Sequence, residues 1–250
     1  MKIIVLIISV VFCTVSVTSQ NLVDAKGKKQ GVWSKTYPGT KVFQYKGQFK
    51  DDKPTGTFTY YYVSSKIKAV ITYSGNSERA FAEYYHENGQ RMSKGIFSNM
   101  KKDSIWLNYA VDGKLTSSET YKNNQLDGKM VVYYLTGKDE KQPSCSFTCT
   151  YKQGVMHGEY VKYFESGALM EKGNYVGGKK EGVWEHYYPG GTKESIERYK
   201  NGIRHGWTIS FDNLGKEYSK TYYFNGHKLE GKALENRLNF CKQKGINPND

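Results

Sequence analysis

One line recurs nearly unchanged in this chain: YKQGVMHGEY at 151–160, YVGGKKEGVW at 175–184 and YKNGIRHGW at 199–207. Each unit can be started at a small anchor residue: Gly31, Gly56, Ala80, Ser104, Gly128, Gly158, Gly182 and Gly206, with Gly231 opening a ninth. The steps between them are 25, 24, 24, 24, 30, 24, 24 and 25 residues. A unit this short cannot bury a core alone, so it must stack on its neighbours, and this constrains the fold more than any bulk property. Three columns hold the register. Seven residues before the anchors stand Phe49, Tyr73, Phe97, Tyr121, Tyr151, Tyr175, Tyr199 and Phe224. Five after them stand Tyr61, Tyr85, Tyr109, Tyr133, Tyr163, Tyr187 and Phe211. Nine after them stand Ser65, Gly89, Gly113, Gly137, Gly167, Gly191 and Gly215.

Each unit reads as one β-hairpin. An extended run follows the anchor (GVWEHYY), the second glycine turns the chain (PGGTK), and a second run ends at the late aromatic (SIERY). Glycine supplies the positive φ that such turns need. A lone hairpin is marginal in water, but stacked hairpins let each ring pack on the ring one repeat away, at about 0.2–1 kcal/mol per pair. The 22 Tyr, 26 Gly and mean hydropathy of −0.71 fit this economy of little aliphatic core. The expected fold class is all-β: an elongated single-layer array of stacked hairpin repeats over 31–231.

The units are not identical. The one at Ala80, AFAEYYHENG, lacks both the anchor glycine and the tryptophan, and Ser104 replaces another glycine. The unit from Gly128 is longer by about six residues, with KDEKQPSCS expected as a long hairpin tip. Residues 20–30 read as a lead-in. In KALENRLNFCKQKG, Leu234, Leu238 and Cys241 share one helical face, so 232–250 is expected to be a capping helix over the open edge of the last hairpin, followed by the polar tail INPND.

Residues 1–19 read as a signal peptide: Lys2, an apolar run IIVLIISVVF, and small residues Val17 and Ser19 before a cut that leaves Gln20 first. The run is short for a membrane span. Lipid attachment at Cys13 would be preceded by bulky Phe12, and small residues are usual there. Export predicts a periplasmic, outer-surface or secreted protein without a transmembrane span in the mature chain. The mature net charge, +13 − 1 = +12, suits acidic partners or plain solubility. Cys145 and Cys149 stand about 13 Å apart if extended, too far for a disulfide, and with Cys241 they form no framework.

The pattern resembles the MORN repeat family in its bacterial variant form, roughly G-x-W-x-x-Y-Y-x-x-G followed by Y-x-x-G-x-x-x-G. GVWEHYYPGG with YKNGIRHG, GEYVKYFESG and YVGGKKEG carry the likeness. It implies a stacked-hairpin fold. Bacterial proteins of this kind are grouped as YwqK-type and antitoxin-like; an export signal is at odds with neutralising a cytoplasmic toxin, so that role is not carried over.

No catalytic pattern is expected. His157 and His205 share a column two repeats apart, about 20 Å in a regular array, and cannot share a metal. The histidines read as polar turn residues at the sheet edge, and Asp51–Asp52 and Asp139–Glu140 as turn charge. Neither a metal nor another cofactor is called for. The basic residues do form a pattern: Lys50, Lys53, Lys101, Lys102, Lys122, Lys152, Lys179, Lys180, Lys200 and Arg204 fall at the turns between repeats. Regular stacking would set them in a row on one long edge, suited to a polyanion or to discouraging aggregation. Trp33, Trp106, Trp184 and Trp207 are candidate partner anchors, with packing inside the ribbon as the competing role for the first three. The chain therefore reads as an exported, non-catalytic scaffold for an unknown protein partner. The alternative is binding of anionic lipid or polysaccharide through Lys101, Lys102, Lys122, Lys152, Lys179, Lys180, Lys200 and Arg204, with nucleic acid disfavoured.

Overall fold

The computed structural model describes residues 20–75, 78–135 and 144–250. The expected signal peptide, Gly137, Asp139–Glu140 and most of the long hairpin tip lie outside these residues. Among the described residues nineteen strands form one open antiparallel sheet, followed by a single helix, Gly231–Lys244. Apart from the two-residue strand Ile203–Arg204, where Lys193–Lys200 also pairs directly with Gly206–Phe211, each strand bonds only to its chain neighbours. The sheet is thus a meander of hairpins in a single layer, as the period predicts.

The two turns of each unit differ for a stated reason. Between repeats, two consecutive residues take positive φ, as at Asp51–Asp52, Asn123–Asn124, Gly177–Gly178 and Asn201–Gly202. This is the tight turn whose twist matches the strands, and it selects Asn, Asp and Gly. Within repeats, the glycine column closes a wider turn: Gly191 N–H donates to Tyr188 O, and Tyr188 N–H to Thr192 O. Ser65 occupies that column at φ 67°, where its counterparts are glycine.

The anchor is a bulge. Opposite Gly173, the pairing slips from Asn174↔Glu181 to Lys172↔Glu185, so three residues around Gly182 face one. Gly182 takes φ 70°, and Ser104 keeps the same bulge at φ 60°. Ala80 does not. There the ladder runs unbroken through Tyr73↔Ala80, Thr72↔Phe81 and Ile71↔Ala82. The Cβ disfavours the left-handed region, so the one alanine anchor goes with the one regular crossing.

The bulges at Gly56, Ser104 and Gly182 aim an aromatic side chain two residues on onto the first face of the sheet. Trp184, Trp106 and Phe58 lie there fully buried. Each ring rests flat on a glycine of the preceding strand: a Cβ on Gly173 would stand 2.2 Å from Trp184, on Gly95 2.2 Å from Trp106, and on Gly47 2.4 Å from Phe58. The flanking aromatic column closes over the rings, with Tyr175 and Phe97 edge-on to Trp184 and Trp106 at centroid distances of 5.1 and 4.9 Å. The core of this single layer is a line of rings sunk into glycine gaps.

A second device ties repeat to repeat at the hairpin-turn side. Tyr37, Tyr62, Tyr134 and Tyr188, each six residues after an anchor, donate their hydroxyls to the backbone carbonyls of Tyr61, Tyr85, Tyr163 and Phe211 in the next unit. The distances are 2.7, 2.7, 2.7 and 3.0 Å. His86 fills the same slot against Tyr109 O.

The C-terminal segment differs from the polar tail expected of it. The helix ends at Gly245 (φ 64°), whose neighbour Ile246 donates back to Cys241 O. Residues 247–250 then dock on the last repeat. Tyr222 donates its hydroxyl to Pro248 O at 2.7 Å, Trp207 N–H donates to Asn249 Oδ1, and His205 Nε2 lies 3.0 Å from Asp250 O. Arg237 lies over Phe224 at 4.0 Å, and Tyr222, His205 and Cys241 are buried. The helix and tail thus cover an aromatic face, not merely a strand edge.

Candidate functional site: a tyrosine-lined groove where the period fails

The Ala80 unit lacks the ring that fills every neighbouring gap on its side of the chain. Across the strands one lateral row reads Phe58↔Ile71↔Ala82↔Gly95, and the next reads Tyr45↔Tyr60↔Ala69↔Tyr84. Ala69, Ala80 and Ala82 are buried and small, while the tyrosines on either side stand up from the sheet. The result is a groove formed by two depressions of about 210 and 490 Å³ that share Tyr60, Ile71 and Tyr84. It follows the strands Ile67–Tyr73 and Arg79–Tyr85, from Lys68 at the hairpin-turn end to Met100 at the inter-repeat end.

Tyrosines dominate its lining, with Glu78 towards the Met100 end and Gln44 and Lys68 towards the other. Burial pushes the Tyr60 phenol up to about 12, with Tyr73, Tyr84 and Tyr45 adding to it. Burial also raises Tyr73 and Tyr84. All three therefore stay neutral hydrogen-bond donors at any ordinary pH. Some tyrosines elsewhere give their hydroxyls to backbone carbonyls or to glutamates, as Tyr121 does to Glu119 and Tyr199 to Glu197. Met100 forms the lip, 85% exposed and at φ 63°. A bulky residue in the left-handed region is strained by about 1–2 kcal/mol, and the other inter-repeat turns hold Asn, Asp, Gln or Gly there. Strain at an exposed rim is the kind that functional surfaces retain.

The basic turn residues separate into two sets. Lys102 and Lys180 are half-buried, with ammonium groups 4.4 and 3.7 Å from the ring centroids of Trp106 and Trp184. Lys180 also bonds Glu171, and Arg204 bonds Glu197. These three brace the core line. Lys50, Lys53, Lys101, Lys122, Lys152, Lys179 and Lys200 are exposed at six of the inter-repeat turns, as in the facing pairs Lys50↔Lys53 and Val176↔Lys179.

The tryptophans are corrected as partner anchors: Trp106 and Trp184 are buried core, and Trp33 and Trp207 are half-buried. The histidines are corrected as a uniform set of edge residues. His157 and His227 are exposed, but His205 is buried under the tail and His86 serves the repeat-to-repeat ladder. His186 stands on the first face, 3.6 Å from Glu197 and 4.0 Å from Glu171. Its imidazole holds the Glu197 carboxyl down at about 2, against burial and with help from Tyr199 and Arg204. On the opposite face burial pushes Glu185 up, but Lys172, Lys193 and Tyr187 outweigh it and hold that carboxyl at about 2. These are structural ion pairs in a row. Cys145, Cys149 and Cys241 are free thiols.

Sequence reasoning missed the groove, although its signal was in view: the missing tryptophan of AFAEYYHENG is the missing filler.

No helix of the described residues is long and apolar enough to cross a membrane. A search of curated protein sequences found no match. Two crystal structures of TarM align with half of this chain, at 13% identity and TM-scores of 0.25 and 0.21. One of them is an S. aureus mutant in complex with Fondaparinux, alpha-GlcNAc-glycerol and UDP. The alignment spans 19% of TarM. Residues 156–176 and 180–201, two adjacent hairpins of the array, match the family model of the MORN repeat variant.

Proposed function

We propose that this chain is an exported, non-catalytic scaffold that binds a protein partner in the groove between Tyr60 and Tyr84. The observation that carries this reading is the groove itself: tyrosine-lined walls over a small apolar floor, and a strained exposed methionine at its lip. The MORN-type repeats support a repeat-based binding surface. Assignment to the YwqK-type subtype belongs to the same proposal and rests on the GVWEHYYPGG…YKNGIRHG line.

A second reading has its own support. The exposed lysines recur at the inter-repeat turns and suit anionic lipid or polysaccharide. One experiment separates the two. Immobilised protein is exposed to envelope extract at low and high salt, beside a Met100→Gly groove variant and a Lys101→Ala/Lys122→Ala/Lys152→Ala/Lys179→Ala edge variant. A defined protein retained at both salts, and lost only from the groove variant, is the expected result. Retention of lipid or polysaccharide alone, abolished by salt and by the edge variant, would replace the groove reading with the basic-edge one.

A further inference from the structure

The two ends of the sheet are finished differently. At the first, the edge of Lys29–Thr36 is closed. Leu22 and Val23 pair with Gln30 and Lys29, Asn21 N–H donates to Val32 O at 2.9 Å, and Ser34 N–H donates to Asn21 Oδ1 at 2.8 Å. At the last, the short strand His227–Leu229 pairs with Tyr222, Tyr223 and Phe224, and the chain then enters the helix at Gly231. Among the described residues, Glu217–Thr221 pair on one side alone, with the strand Gly206–Phe211. We infer that a second copy of this chain pairs with that edge, antiparallel, about a two-fold axis at Ser219. This pairing is independent of what the groove holds.

The repeat itself shows what the edge is shaped to meet. One unit earlier, Ser195 and Ile196 hold the places of Ser219 and Lys220 and pair across with Ser210 and Ile209 of the next unit. On that side Arg198 O accepts His205 N–H at 2.9 Å. Bonding direction alternates along a strand, so the backbone of Ile196, and by equivalence that of Lys220, points outward. Residues 217–220 are all exposed, Tyr218 at 68%. Lysines often blunt an edge of this kind, but the Lys220 ammonium lies back over the sheet, 4.7 Å from the Trp207 ring centroid.

The closed first edge rules out head-to-tail addition of copies, which leaves the closed two-fold dimer. Charge selects its register. An axis at Lys220 would set two ammonium side chains directly opposite, which destabilises a strand pair. An axis at Ser219 sets Lys220 opposite Tyr218 and continues the lateral row Ser195↔Ser210↔Ser219 into its own image. Each Lys220 N–H then donates to Tyr218 O of the other copy. The central Ser219 pair is of the non-hydrogen-bonded kind, with Cα atoms about 4.5 Å apart.

The contact is short, so the dimer is weak, and sedimentation velocity of the purified protein from about 5 to 500 µM should show monomer passing into dimer. Lys220→Pro removes the outward donor and keeps the ladder to Gly206–Phe211. It should weaken dimerisation by about tenfold or more with an unchanged far-UV spectrum. Ser219→Cys provides a measurement that leaves the strand intact. Its Cα spacing across the axis suits a disulfide, so oxidised glutathione should yield a covalent dimer on non-reducing gels well above the wild type, which has its own free thiols at Cys145, Cys149 and Cys241. Lys220→Cys should stay at the wild-type level, because its counterpart lies about 8 Å away across the axis. Monomer at every concentration, equal cross-linking of the two cysteine variants, an undiminished dimer in Lys220→Pro, or oligomers that keep growing with concentration would each overturn the inference.

Discussion

Gly173→Ala tests the central packing argument of this fold. The glycine's φ lies outside the left-handed region, so alanine meets no backbone penalty there; the objection to it is steric. The new Cβ would stand 2.2 Å from Trp184 Cδ2 and 2.3 Å from Cε2, where ordinary contact begins near 3.4 Å. The ring must retreat by about 1.2 Å. It has little room to do so, with Tyr175 at 5.1 Å, Tyr160 at 5.6 Å and the Lys180 ammonium at 3.7 Å from its centroid. Overpacking of this kind costs about 1–3 kcal/mol, and the closed surroundings point to the upper half of that range. Trp184→Ala alone should cost about 3–5 kcal/mol. In the double variant the clash vanishes with the ring, so Gly173→Ala should add almost nothing. The coupling energy is then about −2 to −3 kcal/mol. Gly191→Ala is the control. It sits at φ 86° with open space around it, so it should cost about 1–2 kcal/mol whether or not the tryptophan is present. Urea unfolding followed by far-UV circular dichroism measures all five variants. If Gly173→Ala costs the same with and without Trp184, the ring does not rest on the glycine and the account of the core is wrong.

Three further outcomes follow from the same geometry. Ser65→Gly and Ser104→Gly, at φ 67° and 60°, should each stabilise by about 0.5–1 kcal/mol in thermal melts, whereas Ala80→Gly, at a crossing without a bulge, should destabilise. Removing Asn247–Asp250 leaves the Tyr222 hydroxyl and the Trp207 amide without acceptors and should cost about 2–3 kcal/mol by urea unfolding; an unchanged midpoint would show that the tail is only resting on the repeat. Acid should weaken the fold through Glu185 and Glu197. Both carboxyls are held at about 2 in the folded chain against an ordinary 4.5, so their stabilisation is complete above about pH 4.5 and is lost as pH falls towards 2. The shift corresponds to at most about 3 kcal/mol for each, and a Glu197→Gln chain should show a visibly flatter melting curve against pH over that window.

The array was readable from its period because two aromatic columns and one glycine column recur at fixed offsets, and a hairpin is the short unit that needs both. The ladder from Tyr62 and Tyr188 was not. Each sits beside another aromatic, so the pair reads as one apolar patch, and its acceptor is a carbonyl that no residue type announces. The glycine under each ring was hidden for a different reason. Gly173 and Trp184 are eleven residues apart across a bulge, and a bulge destroys the alternation by which faces are usually assigned. The same blindness merged Lys102 and Lys180 with their exposed neighbours: charge says where a lysine can be, but only the ring beneath says where its ammonium goes. The docked tail was misread because Asn, Pro and Asp look like solvent-facing residues until a bulge offers them a donor.

One lesson from the chain's own repeats bears on where function should be sought. The pairs Gly47/Phe58, Gly95/Trp106 and Gly173/Trp184 keep the gap and its filler together, and Cys149/Tyr160 trades a larger gap residue for a smaller ring. At Ile71/Ala82 the trade is reversed: the side chain from the first strand fills the gap and the ring is gone. That exchange conserves the floor of the sheet while removing its upper layer, which is why a groove can open without a cavity beneath it. Stability alone would not choose this arrangement, since a glycine and a tryptophan at 71 and 82 would match the neighbouring units. Nor would it choose Met100 in a turn that other repeats build from Asn and Gly. Two independent departures from the period, more than a dozen residues apart in sequence, converge on one groove, and that convergence is the reason to look for the partner there.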